Sequence, residues 1–229
     1  MSELDPVYVL DAMRRLCKTQ PEVFGKLGHN FLLNPPLSEA AVADFEARHR
    51  IRLPEDYRNF TTKIGNGGAG PYYGVFRLGE MDGTLSETQA WSEGDLFVGK
   101  LSETFPYTEA RNEKLEYPPD ELERTDENEY ERQLDDSERK YWAALPMNGA
   151  IPICHEGCAI RIWLVVNGPQ AGHVWEDDRA NAKGIRPVLL SDGTRATFAS
   201  WYREWLEKTL AAPPRPSTLR RFCRSLMGR

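Results

Sequence analysis

Four groups of residues have types and spacings that could do chemistry. Gly65-Asn66-Gly67-Gly68-Ala69-Gly70 matches G-x-G-x-x-G, the pattern that lets a backbone approach a pyrophosphate. In dinucleotide sites that loop follows a strand and opens a helix, whose N-terminus meets the phosphate. Here the glycines close a helix and lead into Pro71-Tyr72-Tyr73, and no Lys-Ser/Thr pair follows. The order is reversed, so Gly65, Gly67, Gly68, Gly70 and Gly74 read as a structural loop with positive φ, Gly65 being the left-handed helix cap.

Cys154-His155-Glu156-Gly157-Cys158 supplies zinc-ligand types. A closed zinc site needs four ligands, and Cys17, Cys223, His29, His49 and His173 offer no second pair. The segment reads as a turn between strands, with the cysteines as small apolar residues. Glu176-Asp177-Asp178 could act as acids, bases or metal ligands, but such a run at a strand end reads first as a solvated turn. There is no G-x-S-x-G nucleophile elbow. Of the six tryptophans, Trp201 and Trp205 belong on the apolar face of a helix, Trp163 and Trp175 sit in strands as core or sheet-face residues, and Trp91 is open to an exposed role. No metal and no cofactor is expected.

The elements that must position these residues are legible to different degrees. Asp5 and Pro6 mark the cap and first position of a helix, with Val9, Leu10, Met13, Leu16 and Cys17 at helical spacing. A short helix is expected near Pro21, another after Ser38 (Ala41, Val42, Phe45, His49), and another after Leu53-Pro54 (Tyr57, Phe60, Ile64). Tyr73–Phe76 reads as a short strand, and residues 80–100 are mixed. Residues 120–145 hold a charged helix with Tyr130, Leu134, Tyr141 and Trp142 inward. Then come strands at Ile151–Cys154, Ile160–Val166, His173–Glu176 and Ile185–Leu189, separated by turn-like segments, as in an antiparallel meander. A last helix starts after Thr197 with Phe198, Trp201, Trp205 and Leu206 as its stripe, seated on one face of the sheet. Helices, then antiparallel strands, then a helix is an α+β arrangement.

Composition sets the class. The chain has 229 residues, 29 Lys+Arg against 35 Asp+Glu, and four scattered cysteines. That is enough chain for a real core without disulfides and fits a reducing, cytoplasmic setting. The most apolar run, Ile162–Val166, falls far short of the roughly 20 residues that span a bilayer. Charge is uneven. Residues 109–140 carry 13 acidic and 6 basic side chains, whereas 212–229 carry five arginines and no acid. Taking that tail's +5 from the chain's −6 leaves −11 on the remainder, which argues against direct nucleic-acid binding.

Three segments together resemble one family. They are Leu53–Arg58 through Ile64–Gly74; Ile151-Pro152-Ile153 with His155–Cys158, Leu164–Gly168 and Gly172–Trp175; and Phe198-x-x-Trp201-Tyr202-x-x-Trp205-Leu206. The resemblance is to the SUKH superfamily, which contains the fungal cell-wall assembly regulator and many bacterial immunity proteins. It covers about 37–210. It leaves aside an N-terminal helical extension (1–36), an acidic insertion (about 100–145) within a 37–211 domain, and the basic Pro/Arg tail (212–229). It implies helices packed on a twisted antiparallel sheet and a binding protein rather than an enzyme. The bacterial members imply a cognate protein toxin as partner, often a nuclease, which would be basic and drawn to an acidic inhibitor. Candidate contacts are Tyr72, Tyr73, Trp175, Glu176, Asp177 and Asp178. The alternatives are a regulatory or scaffold module of the same fold, and a hydrolase using the carboxylates at 176–178. The tail reads as a short amphipathic segment (Leu219, Phe222, Leu226 beside Arg220, Arg221, Arg224) that docks on the chain's own acidic body or touches an acidic surface or membrane.

Overall fold

The computed structural model describes residues 4–82, 88–94, 98–143 and 147–213. The basic tail and Cys223 lie outside them. The architecture is the expected α+β class: helices before and after a four-stranded antiparallel sheet whose strands pair in chain order, with a two-stranded ribbon beside it.

Helix α1 (Pro6–Thr19) starts as its sequence dictates, with the Asp5 carboxylate accepting from Val7 N–H and Pro6 in the first turn. Val9, Ala12, Met13 and Leu16 are buried along one stripe. Gln20, at φ 45°, stops it. The short helix expected near Pro21 is only a 3-10 turn at Lys26–Gly28. Phe24 and Leu27 there are exposed, so no buried stripe supports a longer helix.

Helix α2 (Glu39–His49) is capped by Ser38, whose Oγ accepts from Ala41 N–H. Helix α3 (Glu55–Asn59) runs on into a π-helical turn, Phe60–Ile64. That turn closes with Gly65 N–H donating to Phe60 O at 2.9 Å. Gly65 is extended, at φ 178°, and not the left-handed cap its position suggests. What it needs is space: a Cβ would lie 2.9 Å from the Asn34 carbonyl oxygen. The left-handed residues come two positions later, at Gly67 and Gly68.

Tyr73–Phe76 is not a strand. Tyr72 and Gly74 have positive φ, and only Val75 pairs, with Gly68 on one side and Cys154 on the other. Strands β1 (Glu80–Asp82) and β2 (Thr88–Ala90) form the ribbon. The charged segment forms two helices, α4 (Asp120–Thr125) and α5 (Glu127–Tyr141). Asp126, at φ −152° and ψ 85°, breaks them apart and caps the second by accepting from Glu129 N–H. Of the residues expected inward, Tyr130, Leu134 and Tyr141 are half-buried and Trp142 is exposed.

Strand β3 (Ala150–Gly157) runs through His155-Glu156-Gly157, which is therefore strand and not turn. The turn is Cys158-Ala159, both at positive φ, the geometry of a two-residue hairpin matched to strand twist. Strand β4 (Ile160–Val165) pairs with β5 (Val174–Asp178), so that Trp163 faces Trp175 and Arg161 faces Asp177. Strand β6 (Gly184–Pro187) closes the sheet with Glu176 opposite Arg186.

Helix α6 (Phe198–Ala211) carries a capping box between Thr197 and Ser200. Its aromatic stripe meets α3: Phe198 lies 4.8 Å from Tyr57 and 5.0 Å from Phe60, and Tyr202 lies 4.9 Å from Phe60, ring to ring. Buried Tyr202 donates its hydroxyl proton to Ala69 O at 2.8 Å, tying this helix to the glycine loop.

Candidate functional site

The six sequence-nominated residues occupy two neighbouring places. Four lie on β5, where side chains alternate between faces. Trp175 and Asp177 point one way, Glu176 and Asp178 the other. Trp175 is fully buried, 4.9 Å from Phe105 in an edge-to-face contact, and has no surface to offer a partner. The carboxylates do not form a solvated turn, because β5 extends through Asp178 and the charges are answered within the fold. Arg186 donates to both oxygens of Glu176, at 2.6 and 3.3 Å. Arg179 donates to both oxygens of Asp177, at 2.9 and 2.7 Å. Asp178 is buried, accepts from Asn181 Nδ2 at 2.6 Å, and lies 3.2 Å from Lys183 Nζ. Acids split between two faces and matched by cations do not converge on one substrate.

Tyr72 and Tyr73 sit at the tip of the glycine loop and differ in role. Tyr72 is half-buried, and its hydroxyl bonds the Glu156 carboxylate. Burial raises its pKa, with the charges of Glu156 and Glu176 adding to that. Glu156 is raised in turn, chiefly by burial and then by the charge of Glu176. Tyr73 is exposed and stacks on His155 at 4.8 Å and 14°.

The glycine loop beneath them is scaffold. Gly67 (φ 76°) passes so close to Phe76 that a Cβ would lie 2.5 Å from its carbonyl oxygen. Gly70 and Gly74 are similarly crowded by Val75 and by Gly68 O. The loop amides are used internally: Asn66 N–H goes to Pro35 O, Gly67 to Gly65 O, Gly68 to Val75 O and Ala69 to Leu32 O. A phosphate cradle needs those donors free. Cys154 is buried, its thiol directed at Pro71 O, while Cys158 is exposed on the hairpin turn. Among the described residues no three His, Cys, Asp or Glu side chains are grouped to hold a metal ion.

The charged surface lies elsewhere. No residue of α4 or α5 is buried. Asp120, Glu121, Glu123, Asp126, Glu127, Glu131, Asp135 and Glu138 are all exposed on them. Arg132 and Gln133 hold Glu129 at a pKa of about 2 by hydrogen bonds, so that carboxylate stays ionised. The C-terminal end of α5 is fastened to the sheet through Arg179, which bonds Asp177 and the carbonyls of Tyr141 and Ala143 and lies 5.7 Å over the exposed Trp142 ring. Nothing in the local pattern around 179 shows that arginine reaching the acidic helices, since the carbonyls it bonds there are 36 and 38 residues away.

An α+β domain with ion-paired acids and a stand-off acidic hairpin is the class the geometry defines. A family model described as the SMI1 / KNR4 family (SUKH-1) matches residues 36–183, well over half the chain. The chain belongs to that family. The match spans both the glycine loop and the acidic hairpin, and stops before β6 and α6. Searches of curated proteins and of solved structures returned no match. Membership places the chain among immunity and regulator proteins in general, which are as a rule not enzymes. No helix among the described residues is long and apolar enough to cross a membrane.

Proposed function

We propose that this chain is an immunity protein that binds a cognate protein toxin and blocks it without altering a covalent bond. The toxin's binding surface is basic, as a nuclease domain requires. The observation that carries this reading is the α4–α5 pair, two consecutive helices with no fully buried residue that project carboxylates into solvent. A helix with no buried stripe contributes little to its own fold and much to the field around it. A basic surface approaching that field is steered onto it, and the acidic helices then occupy the place of phosphates. Exposed Trp142 and Tyr117 border the hairpin and supply the aromatic anchors that such contacts favour. Tyr73 is the sequence-nominated contact whose ring is most available; Glu176, Asp177 and Asp178, paired with Arg186, Arg179 and Lys183, add little to the field.

The test is co-expression with the product of the adjacent gene. Rescue from growth arrest by the native chain, lost when Glu121, Glu123, Glu127 and Glu131 are together changed to lysine, supports the proposal. Capture of a housekeeping protein with no rescue favours the regulatory reading of the same fold.

A further inference from the structure

We infer that the basic C-terminal segment, residues 214–229, seats its apolar side chains in the groove between the N-terminal segment and α6. The groove has a volume of about 350 Å³. Phe24 forms one wall, Leu189 the second, and Trp201, Trp205 and Thr209 of α6 the third. Phe24 is 63% and Leu189 56% exposed, so a continuous apolar trough opens to solvent.

Connectivity favours this occupant over any other. Thr209 lines the groove, and α6 ends two residues later at Ala211. Ala212 is already extended, at ψ 143°, and Pro213-Pro214 and Pro216 cannot continue the helix. The chain must therefore leave the helix axis at the groove's own end. From Thr209 back to Trp201 is about 12 Å at the rise of an α-helix. Sixteen residues reach that far several times over.

Composition and charge agree with that placement. Leu219, Phe222 and Leu226 recur at i, i+3 and i+7, flanked by Arg220, Arg221 and Arg224. The rest of the chain carries −11, the complement of this segment's +5. Glu204 stands in the groove wall already paired with Lys208 at 2.7 Å, so the acid open to the tail's arginines is exposed Glu207, which follows on α6. Tethering replaces a bimolecular encounter by an effective concentration in the millimolar range, so a modest apolar contact suffices. The inference stands apart from the acidic helices that carry the toxin reading; the two readings meet only where Tyr72 lines the groove and Phe24 packs 5.3 Å from Tyr73.

Amide hydrogen exchange on the full chain tests it, with the native sequence compared with Phe222→Asp in the tail and with Phe24→Asp and Leu189→Asp in the groove. Both groove residues are exposed, so unchanged melting temperatures will show that the body stays folded. The expected result is that amides of 219–227 exchange at least about tenfold more slowly in the native chain than in Phe222→Asp, and that each groove variant removes this protection. Exchange at unstructured rates in the native chain would overturn the inference. So would protection indifferent to Phe24→Asp and Leu189→Asp, protection that grows with protein concentration, or protection seen only with anionic phospholipid vesicles.

Discussion

Arg179 and Tyr141 exchange hydrogen bonds across 38 residues of chain: the tyrosine hydroxyl donates to the Arg179 carbonyl at 2.9 Å, and the guanidinium donates back to the Tyr141 carbonyl. The same guanidinium pairs with Asp177, both side chains 11% exposed. One residue thus joins the acidic hairpin to the sheet.

Arg179→Ala should remove that joint and strand the Asp177 carboxylate. A loss of about 3 kcal/mol in unfolding free energy is expected, the usual cost of halving a buried ion pair. Arg179→Lys should recover only part of it, because an ammonium cannot reach two carboxylate oxygens and two carbonyls together. Chemical denaturation of the three proteins measures both differences.

Gly67→Ala should destabilise by about 2 kcal/mol or more, since it combines a positive φ with a Cβ set 2.5 Å from the Phe76 carbonyl oxygen. Gly193→Ala is the matched control, with φ +83° and open space around it. It should cost about 1 kcal/mol from backbone strain alone. Equal melting temperatures for the two variants would contradict the scaffold role given to the loop.

His29 should set part of the acid sensitivity. It is 7% exposed, packed against the rings of Phe31 and Trp205, and accepts Phe31 N–H on Nδ1. Burial lowers its pKa from 6.5 to about 4. The unfolded chain therefore binds the proton more readily between those values. Stability from this group is complete above about pH 6.5, falls as pH drops, and is exhausted near pH 4, with a total of roughly 3 kcal/mol. His29→Gln should flatten that part of the stability–pH curve, whatever it does at pH 7.

Much of the fold was written in local pattern. Asp5-Pro6, Ser38 and Thr197 each mark a helix start that the structure keeps, because a side-chain cap is a contact between near neighbours. The runs rich in Ile, Val and Trp form β3 to β6 because β-branched and aromatic side chains suit a pleated, half-buried surface. The misreadings arose where distant contacts decide. Gly65 is extended because Asn34 crosses it, and His155–Gly157 stays in strand because Cys158 and Ala159 accept the left-handed turn. Glu176–Asp178 looked solvated because the arginines and lysine that answer them cannot be assigned from spacing alone. Trp175 was legible as apolar, but not as a residue sealed under Phe105.

Charge reversal on the hairpin should separate function from folding. Glu121→Lys, Glu123→Lys, Glu127→Lys and Glu131→Lys together change exposed positions and leave the half-buried Tyr130, Leu134 and Tyr141 in place, so the melting temperature should shift little. Association with a basic partner should slow by about tenfold or more at low salt, and the difference should shrink as salt is raised. An unchanged association rate would move the contact surface away from α4–α5.

The central claim is that the chain neutralises a toxin by stoichiometric binding. Titrating the purified chain into the purified toxin encoded beside its gene, with toxin activity and complex formation followed together, tests it most directly. Activity is expected to fall linearly to zero at one equivalent, with a stable complex and no chemical change in either protein. Full toxin activity at a several-fold excess of the chain, or inhibition by a catalytic amount, would contradict it.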